Sequence, residues 1–209
     1  MIRIETEQRS EAWFQAKLGR IGASRFKDLM SGESTIGYKG LISDIAAEIK
    51  SGEMEETYTN ADMERGIELE PEARAAYEDI FEVDVEETGL CIPDESNEFH
   101  EWVGVSPDGG MDGFTKLLEI KCPKKRTHWN YIKAEKLPNE YKWQVQGQLF
   151  VTNAEYCDFM SYHPSLKPFI IRVYPDFKMH KEIEERLRKT ITLIKQEIKN
   201  YNDYDFLTN

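Results

Sequence analysis

Apolar residues recur at helical spacing near the start of the chain. Ser10 is a favourable N-cap, and Gly19 a favourable C-terminal stop, for a first predicted helix. The apolar positions of this helix are Trp13, Phe14 and Leu18. A second, shorter helix is predicted to start near Ala23 and Ser24 and to end by Gly32.

Two longer helices are predicted next. Apolar residues spaced three or four apart precede Gly52, and these residues are Leu41, Ile42, Ile45, Ala46 and Ile49. Residues 53–60 are polar and predict a loop. Residues 61–81 predict a further helix with an interruption before Pro71.

The middle of the chain changes to strand-like patterns. Val83, Val85 and residues 90–92 suggest one strand. Residues 102–105 lead into a turn, and residues 115–120 supply the next strand.

A helix, two strands and a final helix follow. Residues 139–152 predict a helix after Pro138, and residues 156–162 and 169–174 predict two neighbouring strands joined at Pro164. An apolar stripe marks a long C-terminal helix through Ile183, Leu187, Ile191, Ile194 and Ile198. This order predicts an α/β fold with a central mixed β-sheet flanked by helices.

The composition indicates a globular protein. Of the 209 residues, 40% are hydrophobic and 11% aromatic, which suits a single domain over residues 1–209. No apolar run approaches the ~20 residues that cross a bilayer, so no membrane partner is expected. The three cysteines lie far apart and form no CxxC pair, which predicts reduced thiols in a cytoplasm and neither a zinc site nor a disulfide framework.

The distribution of charge is more informative than the net charge of −12. Residues 53–101 carry 18 acidic side chains against Arg65 and Arg74, a net −16, whereas residues 121–142 carry seven basic side chains against two acidic ones, a net +5. Because phosphate affinity depends on local cation density, the second segment is a candidate nucleic-acid contact. A solvated basic face is the alternative, and it would be favoured without the motif that adjoins the segment.

That motif occupies residues 106–121, SPDGGMDGFTKLLEIK. In a strand, Glu119 and Lys121 share one face, and a turn at residues 109–110 would fold Asp108 back beside them. Two carboxylates and one ammonium suit a divalent cation and an oxyanion, which is what Mg²⁺-assisted phosphodiester hydrolysis requires. Taken alone, E-x-K is a weak signal, since a charged pair beside a strand is usually a solvated face.

The full motif resembles the signature of the phage lambda exonuclease, or YqaJ-like viral recombinase, family within the PD-(D/E)xK nuclease superfamily. It consists of Ser106-Pro107-Asp108-Gly109 and Leu118-Glu119-Ile120-Lys121-Cys122-Pro123. The resemblance runs over roughly residues 10–175 and implies a restriction-endonuclease-like core. It implies that Asp108, Glu119 and the carbonyl of Ile120 bind one or two Mg²⁺ ions, for which Mn²⁺ is expected to substitute, and that Lys121 orients or deprotonates the attacking water.

The resemblance also assigns a pocket for a terminal 5′-phosphate to residues 13–24. Lys17 and Ser24 are the expected contacts, since a serine that opens a helix leaves free backbone N–H groups. Lys17 stands where the family usually has arginine, and lysine offers a point charge in place of a bidentate fork. On spacing alone, a surface lysine and a plain N-cap are the commoner interpretation.

Two further segments match the family. Gly66 and Ala73 frame Glu70 in a G-x-x-x-E-x-x-A pattern that implies an active-site carboxylate, with a solvated acidic helix start as the alternative. Tyr141 and Gln144 match positions close to the scissile phosphate. Gln144 shares a helix face with Gln148, and ordinary exposed polar residues are the alternative there. The expected DNA contacts in the basic segment are Lys124, Lys125 and Arg126.

The activity that the resemblance implies is 5′-to-3′ exonucleolytic degradation from linear duplex DNA ends. It would release 5′ mononucleotides and leave a 3′ single strand for a single-strand annealing protein. The resemblance also implies a ring-shaped homotrimer and a phage or prophage protein in the cytoplasm of a bacterial host. A site- or structure-specific endonuclease on the same core and a catalytically idle DNA-binding protein are the alternatives.

Overall fold

The computed structural model describes residues 1–54 and 61–204. The strands are β1 (Ile2–Ile4), β2 (Ile21–Gly22), β3 (Leu90–Ile92), β4 (Val103–Gly104), β5 (Gly109–Met111), β6 (Lys116–Lys121), β7 (Tyr156–Ser161) and β8 (Phe169–Val173). The helices are α1 (Glu11–Lys17), α2 (Phe26–Leu29), α3 (Ile36–Ser51), α4 (Ala61–Phe81), α5 (Lys125–Ala134), α6 (Lys142–Thr152) and α7 (Phe177–Asn202). Residues 55–60 of the predicted polar loop lie outside the described residues.

A four-stranded mixed sheet forms the centre of the fold, in the order β5-β6-β7-β8. Its central pair, β6 and β7, is parallel, and the two outer pairs are antiparallel. The crossover from β6 to β7 contains α5 and α6. The prediction of an α/β fold with a central mixed sheet is confirmed, as is the pairing of the last two strands.

Helices cover both faces of this sheet. On one face α6 packs against β7 and is backed by α2 and α7, and on the other face α4 packs against β6. Because alternate strand residues point to opposite faces, Leu117 belongs to the core on the α6 side, whereas Leu118 and Ile120 belong to the core beneath α4. By the same alternation, Glu119 and Lys121 face α6.

The structure confirms most of the predicted helices. Ser10 caps α1 by accepting a hydrogen bond from the Trp13 amide, and α3 ends at Gly52 in the left-handed conformation. The short helix predicted near residue 23 is a 3₁₀ turn, Ala23–Arg25, that continues into α2. The prediction of an interruption before Pro71 was wrong, because α4 runs through this residue.

Three short or polar elements were not predicted. β1 and β2 contain three and two residues, which is too few to show a period. The helix α5 consists mostly of polar residues and has one buried side chain, His128. The strand expected at Val83 and Val85 is absent from the described residues; the chain there pairs with the sheet through a single bridge between Glu86 and Gly110.

The turn predicted at Gly109-Gly110 is displaced. Both glycines lie within β5, and the chain reverses at residues 112–114, all of which have positive φ. The glycines are required by close packing: a Cβ on Gly109 would lie 2.2 Å from Val85 Cγ1, and one on Gly110 would lie 2.4 Å from the Phe114 ring. Glycine followed by glycine was therefore mistaken for a turn signal.

Candidate active site

Asp108 and Glu119 come together through the register of the β5–β6 hairpin. Gly109 pairs with Leu118, so the preceding residue, Asp108, lies level with Glu119 on the neighbouring strand. Asp108 Oδ2 accepts a hydrogen bond from the Ile120 amide at 2.7 Å. No described residue donates a hydrogen bond to Asp108 Oδ1. The hairpin thus presents one open carboxylate oxygen beside a second carboxylate, as the motif predicted.

Three side chains hold the carboxylate of Glu119, which is 1% exposed. Lys121 donates to Oε1 from the same strand. From α6, Gln144 Nε2 donates to Oε1 at 2.5 Å and Gln148 Nε2 donates to Oε2 at 2.6 Å. A carboxylate has about four acceptor positions, so three donors leave capacity for one more partner.

Asp108 lies where its charged form is disfavoured. Burial, the charge of Glu119 and the charge of Glu70 raise the pKa of Asp108 to about 8, although Lys121 opposes the shift. Burial alone would lower the pKa of Lys121, but the charges of Glu119 and Asp108 outweigh burial and raise it. A half-buried carboxylate beside a buried one suits a divalent cation, which would relieve the repulsion between them.

The donor set fits a hard cation that keeps part of its water shell. Among residues 1–54 and 61–204, no group of three or more His, Cys, Asp or Glu side chains is arranged as a metal site. Two carboxylates and a backbone carbonyl are nevertheless sufficient protein ligands for Mg²⁺, which usually retains several waters. Ile120, the proposed carbonyl ligand, lines the same cleft as Asp108.

Asp108 opens into a cleft of about 590 Å³ between α4, β6 and the segment around α5, and buried Glu119 is not among the lining residues. Its basic lining residues are Arg9, Arg65, Lys121 and Lys124, and its acidic lining residues are Asp62, Glu70, Asp108 and Glu140. Tyr141, predicted to lie near the scissile phosphate, is also in the wall, with its ring centroid 5.5 Å from Lys121 Nζ. The cleft therefore combines a cation site with groups that can contact phosphate.

Glu70 lies in this cleft, but both of its oxygens accept hydrogen bonds from arginines. Arg9 Nη2 is 2.9 Å from Oε2, and Arg74 Nη2 is 3.0 Å from Oε1. Arg74 also donates to the backbone carbonyl of Asp108 at 3.2 Å. Arg74 thus joins α4 to the segment that carries Asp108, and Glu70 joins α4 to Arg9.

The three basic residues that follow the motif differ in position. Lys124 lines the cleft and forms an ion pair with Asp62 at 2.9 Å. Lys125 and Arg126 are exposed at the start of α5 and do not contribute to the lining of this cleft. Of the three, Lys124 is thus the one that the fold brings beside the carboxylates.

Lys17 and Ser24 lie outside this cleft lining. Lys17 Nζ is 4.4 Å from the Trp13 ring centroid, and burial lowers the pKa of this lysine. Trp13 Nε1 in turn donates to Ser106 Oγ at 3.1 Å, two residues before Asp108. Ser24 is exposed within the 3₁₀ turn. Trp13 therefore links the Lys17 region to the motif that contains Asp108.

Sequence reasoning missed three residues of this constellation: Arg9, Arg74 and Gln148. Gln148 offered a signal, since it shares a helix face with Gln144, but nothing in the chain showed that this face meets Glu119. Arg74 also offered a signal, since it lies four residues after Glu70 on one helix. Arg9 contacts Glu70 from a distant segment, so its role depends on tertiary packing.

The cysteines take no part in hydrogen bonding to the carboxylates. Cys91, Cys122 and Cys157 are free thiols, and all three are buried. Burial raises the pKa of Cys122 to about 12, so this thiol, although it follows Lys121, stays protonated. Separately, none of the described helices has the length and apolar character needed to cross a membrane.

Comparison with known proteins gives consistent results. The model of the YqaJ-like viral recombinase domain matches residues 12–155. An alkaline exonuclease, LHK-Exo, from Laribacter hongkongensis is 34% identical with a TM-score of 0.82, over 93% of this chain and 97% of that chain. The same enzyme in complex with dAMP is 34% identical with a TM-score of 0.83, over 93% and 97% of the two chains.

A more distant structure shares the fold. A phage-related exonuclease from Haemophilus somnus 129PT has a TM-score of 0.67 at 14% identity, over 87% of this chain and 96% of that chain. No curated protein matches the chain in sequence.

Proposed function

Because this chain belongs to the YqaJ-like viral recombinase family, we propose that it is a Mg²⁺-dependent exonuclease that degrades duplex DNA from linear ends in the 5′-to-3′ direction. The observation that carries the proposal is the placement of Asp108 and Lys121 in one cleft, with Glu119 hydrogen-bonded to Lys121 and level with Asp108 on the neighbouring strand. The complex of the relative LHK-Exo with dAMP supports release of mononucleotides, since dAMP is the class of product that such a reaction yields.

In this proposal, Asp108, Glu119 and the carbonyl of Ile120 hold one or two Mg²⁺ ions, for which Mn²⁺ substitutes. A bound Mg²⁺ supplies Lewis-acid stabilisation of the negative charge that builds on the phosphate. Gln144 and Gln148 keep Glu119 in the orientation that this role needs. Burial of Asp108 and the nearby charge of Glu119 support the assignment, because a bound cation would stabilise the charged form of Asp108.

Lys121 acts on the reacting groups. Its ammonium donates to Glu119 and retains further N–H groups that can orient the attacking water and stabilise the developing charge on the phosphate. The attacking water bonds to phosphorus and gives up a proton to solvent. The P–O3′ bond breaks, and the 3′ oxygen of the terminal nucleotide leaves and takes up a proton from solvent. Tyr141 and Lys124 contact the strand from the cleft wall, and Lys125 and Arg126 contact the duplex outside it.

Dependence on a DNA end is assigned to Lys17 and Ser24, which we propose bind the terminal 5′-phosphate. The hydrogen bond between Trp13 and Ser106 supports this arrangement, because it joins the Lys17 region to the catalytic strand. The single charge of Lys17 is expected to give weaker selectivity for phosphate than an arginine fork.

The remaining features rest on family membership. We propose that residues 1–209 form one exonuclease domain, that three copies form a ring, and that a single-strand annealing protein uses the 3′ strand. The cellular setting we propose is the cytoplasm of a bacterium that carries the phage or prophage.

The test compares linear duplex with covalently closed circular duplex in Mg²⁺. The proposal expects loss of the linear form alone, with a 5′ label released before a 3′ label on the same strand. Asp108→Asn and EDTA are the controls that should abolish release. Cutting of the circular form would identify an endonuclease, and DNA binding without any release would identify a catalytically idle protein.

A further inference from the structure

Arg9 enters the cleft from a backbone conformation that arginine rarely adopts. Its φ of 69° lies in the left-handed region, where a side chain with a Cβ is strained. The residues on either side anchor this turn: Ser10 caps α1, and Gln8 Nε2 donates to the carbonyl of Pro107 at 3.1 Å. Arg9 is thus held in a fixed relation to Asp108, which follows Pro107.

Stability does not explain an arginine at this strained position. The side chain of Arg9 is 45% exposed, and ion pairs at such exposure contribute little. Its partner, Glu70, already has Arg74 at 3.0 Å and does not need a second cation. A glycine or asparagine would adopt the same backbone conformation with less strain.

The guanidinium of Arg9 has donors to spare. Within the described part of the chain, Nη2 donates to Glu70, and no other side-chain N–H of Arg9 has an acceptor. The other cations of the cleft have partners of their own: Arg65 donates to the carbonyl of Cys122, Lys124 pairs with Asp62, and Lys121 donates to Glu119. Arg9 adds a planar guanidinium with open donors to this cleft.

We propose that Arg9 binds a phosphate of the DNA strand in the cleft, and that Glu70 orients it for that contact. The proposal rests on the function proposed above and adds a substrate-binding residue to it. Nη2 keeps its bond to Glu70 while the remaining N–H groups meet the phosphate oxygens, an arrangement for which a planar guanidinium is suited. Glu70 is then a positioning residue for Arg9, and Arg74 ties both to the Asp108 strand.

The test measures DNA binding without cleavage, using Ca²⁺ in place of Mg²⁺ and a fluorescent duplex with a 5′-phosphate. Arg9→Gly and Arg9→Asn both suit a left-handed backbone, so each should keep the thermal midpoint of the wild type within a few degrees. Affinity should fall by about tenfold or more, since one charge-assisted contact is lost. The slope of log K against log salt should decrease by about 0.9.

Arg188→Gln is the matched control. Arg188 is 49% exposed, forms ion pairs with Glu98 and Glu184, and lies on α7 outside the cleft lining. Its removal should leave affinity and salt slope as in the wild type. A loss equal to that of the Arg9 variants would mean that any exposed arginine has this effect, and would overturn the proposal.

Duplexes that carry one neutral methylphosphonate linkage locate the contact. At one position near the 5′ end, a neutral linkage should lower the affinity of the wild type for the duplex but leave the affinity of Arg9→Gly unchanged. The inference would be overturned if both Arg9 variants bound DNA with the affinity and salt slope of the wild type. It would also be overturned if a lower thermal midpoint of the variants accounted for their loss of binding. If the wild type itself neither binds nor cuts duplex DNA, the proposed function fails first, and the assay separates that result from failure of Arg9 alone.

Discussion

The side-chain amide of Gln148 donates to Glu119 Oε2 at 2.6 Å from a position that solvent does not reach. The thiol of Cys157 lies 4.0 Å from Gln148 Oε1, which fits a carbonyl oxygen pointing away from Glu119. With its acceptor end directed toward a weak donor and its N–H directed toward the carboxylate, Gln148 fixes one orientation of Glu119. Groups that orient a metal-binding carboxylate in this way influence metal affinity strongly.

Gln148→Met should therefore weaken metal binding more than it weakens the fold. Methionine fills a similar volume but leaves Glu119 Oε2 without its donor, so the Mg²⁺ concentration for half-maximal activity should rise by about 10- to 100-fold. Titration of Mn²⁺ binding provides a readout independent of activity. Gln146→Met is the matched control, because Gln146 is buried on the same helix but donates to the carbonyl of Tyr174. Equal metal dependence in the two variants would contradict the role.

Lys121→Ala should abolish hydrolysis and leave Ca²⁺-supported DNA binding largely intact. The ammonium is assigned to the attacking water and the developing charge, and such groups contribute about 10²-fold or more to rate. Single-turnover cleavage and anisotropy binding should be measured side by side. Lys116→Ala, at the other end of β6, should cut normally. A Lys121→Ala rate above roughly a tenth of wild type would refute the assignment.

Asp108 should give the metal-free protein a distinctive pH dependence. Its pKa is about 8 in the folded state and about 3.9 when unfolded, so the folded state holds this proton more tightly. The free energy of unfolding should consequently fall as pH rises from 5 to 8, with a slope of up to about 1.4 kcal/mol per pH unit from this group.

Urea unfolding in EDTA at a series of pH values tests this dependence. Asp108→Asn should flatten the slope, and Mg²⁺ should restore stability to the wild type at pH 8 but not to the variant. Asp112→Asn, at an exposed carboxylate in the adjoining turn, should retain the wild-type slope. A steep slope that persists in Asp108→Asn would assign it to another group.

Calcium should separate binding from cleavage. Ca²⁺ accepts the same oxygen ligands as Mg²⁺ but with larger and looser geometry, so DNA should bind while turnover is low or absent. The measurement is duplex binding and nucleotide release in Ca²⁺, Mg²⁺ and EDTA. Turnover in Ca²⁺ comparable to that in Mg²⁺ would indicate a site with less strict geometry than two carboxylates and one carbonyl provide.

Lys17→Ala should slow digestion of 5′-phosphorylated ends more than that of 5′-hydroxyl ends. One charge-assisted phosphate contact is worth about 1.5–3 kcal/mol, or roughly 10- to 150-fold. Timed digestion of matched duplexes gives the ratio, with Lys27→Ala on α2 as the control. Equal slowing of both ends would make Lys17 a general DNA contact or a structural residue.

The local sequence pattern was sufficient to predict the residues at the centre of the site, but it was insufficient to predict the residues around them. Asp108, Glu119 and Lys121 were predictable because a strand period and one hairpin place them together. The pairing of Glu70 with Arg9 was not, since it depends on how α4 meets the N-terminal turn, whereas Arg74 lies four residues after Glu70 on the same helix. The two glycines after Asp108 led to a wrong prediction of the turn position. Gly109 and Gly110 are required by close packing, and the chain reverses direction later, at residues 112–114.

The two glycines of β5 also affect how freely this enzyme can change over generations. Neither contributes to the cleft lining, yet any side chain at Gly109 or Gly110 would collide with Val85 or with the ring of Phe114. Either collision would move the strand that carries Asp108. Selection at these two positions is therefore expected to act on side-chain size alone. Substitutions elsewhere in the surrounding sequence would leave the position of Asp108 unchanged only while both residues remain glycine.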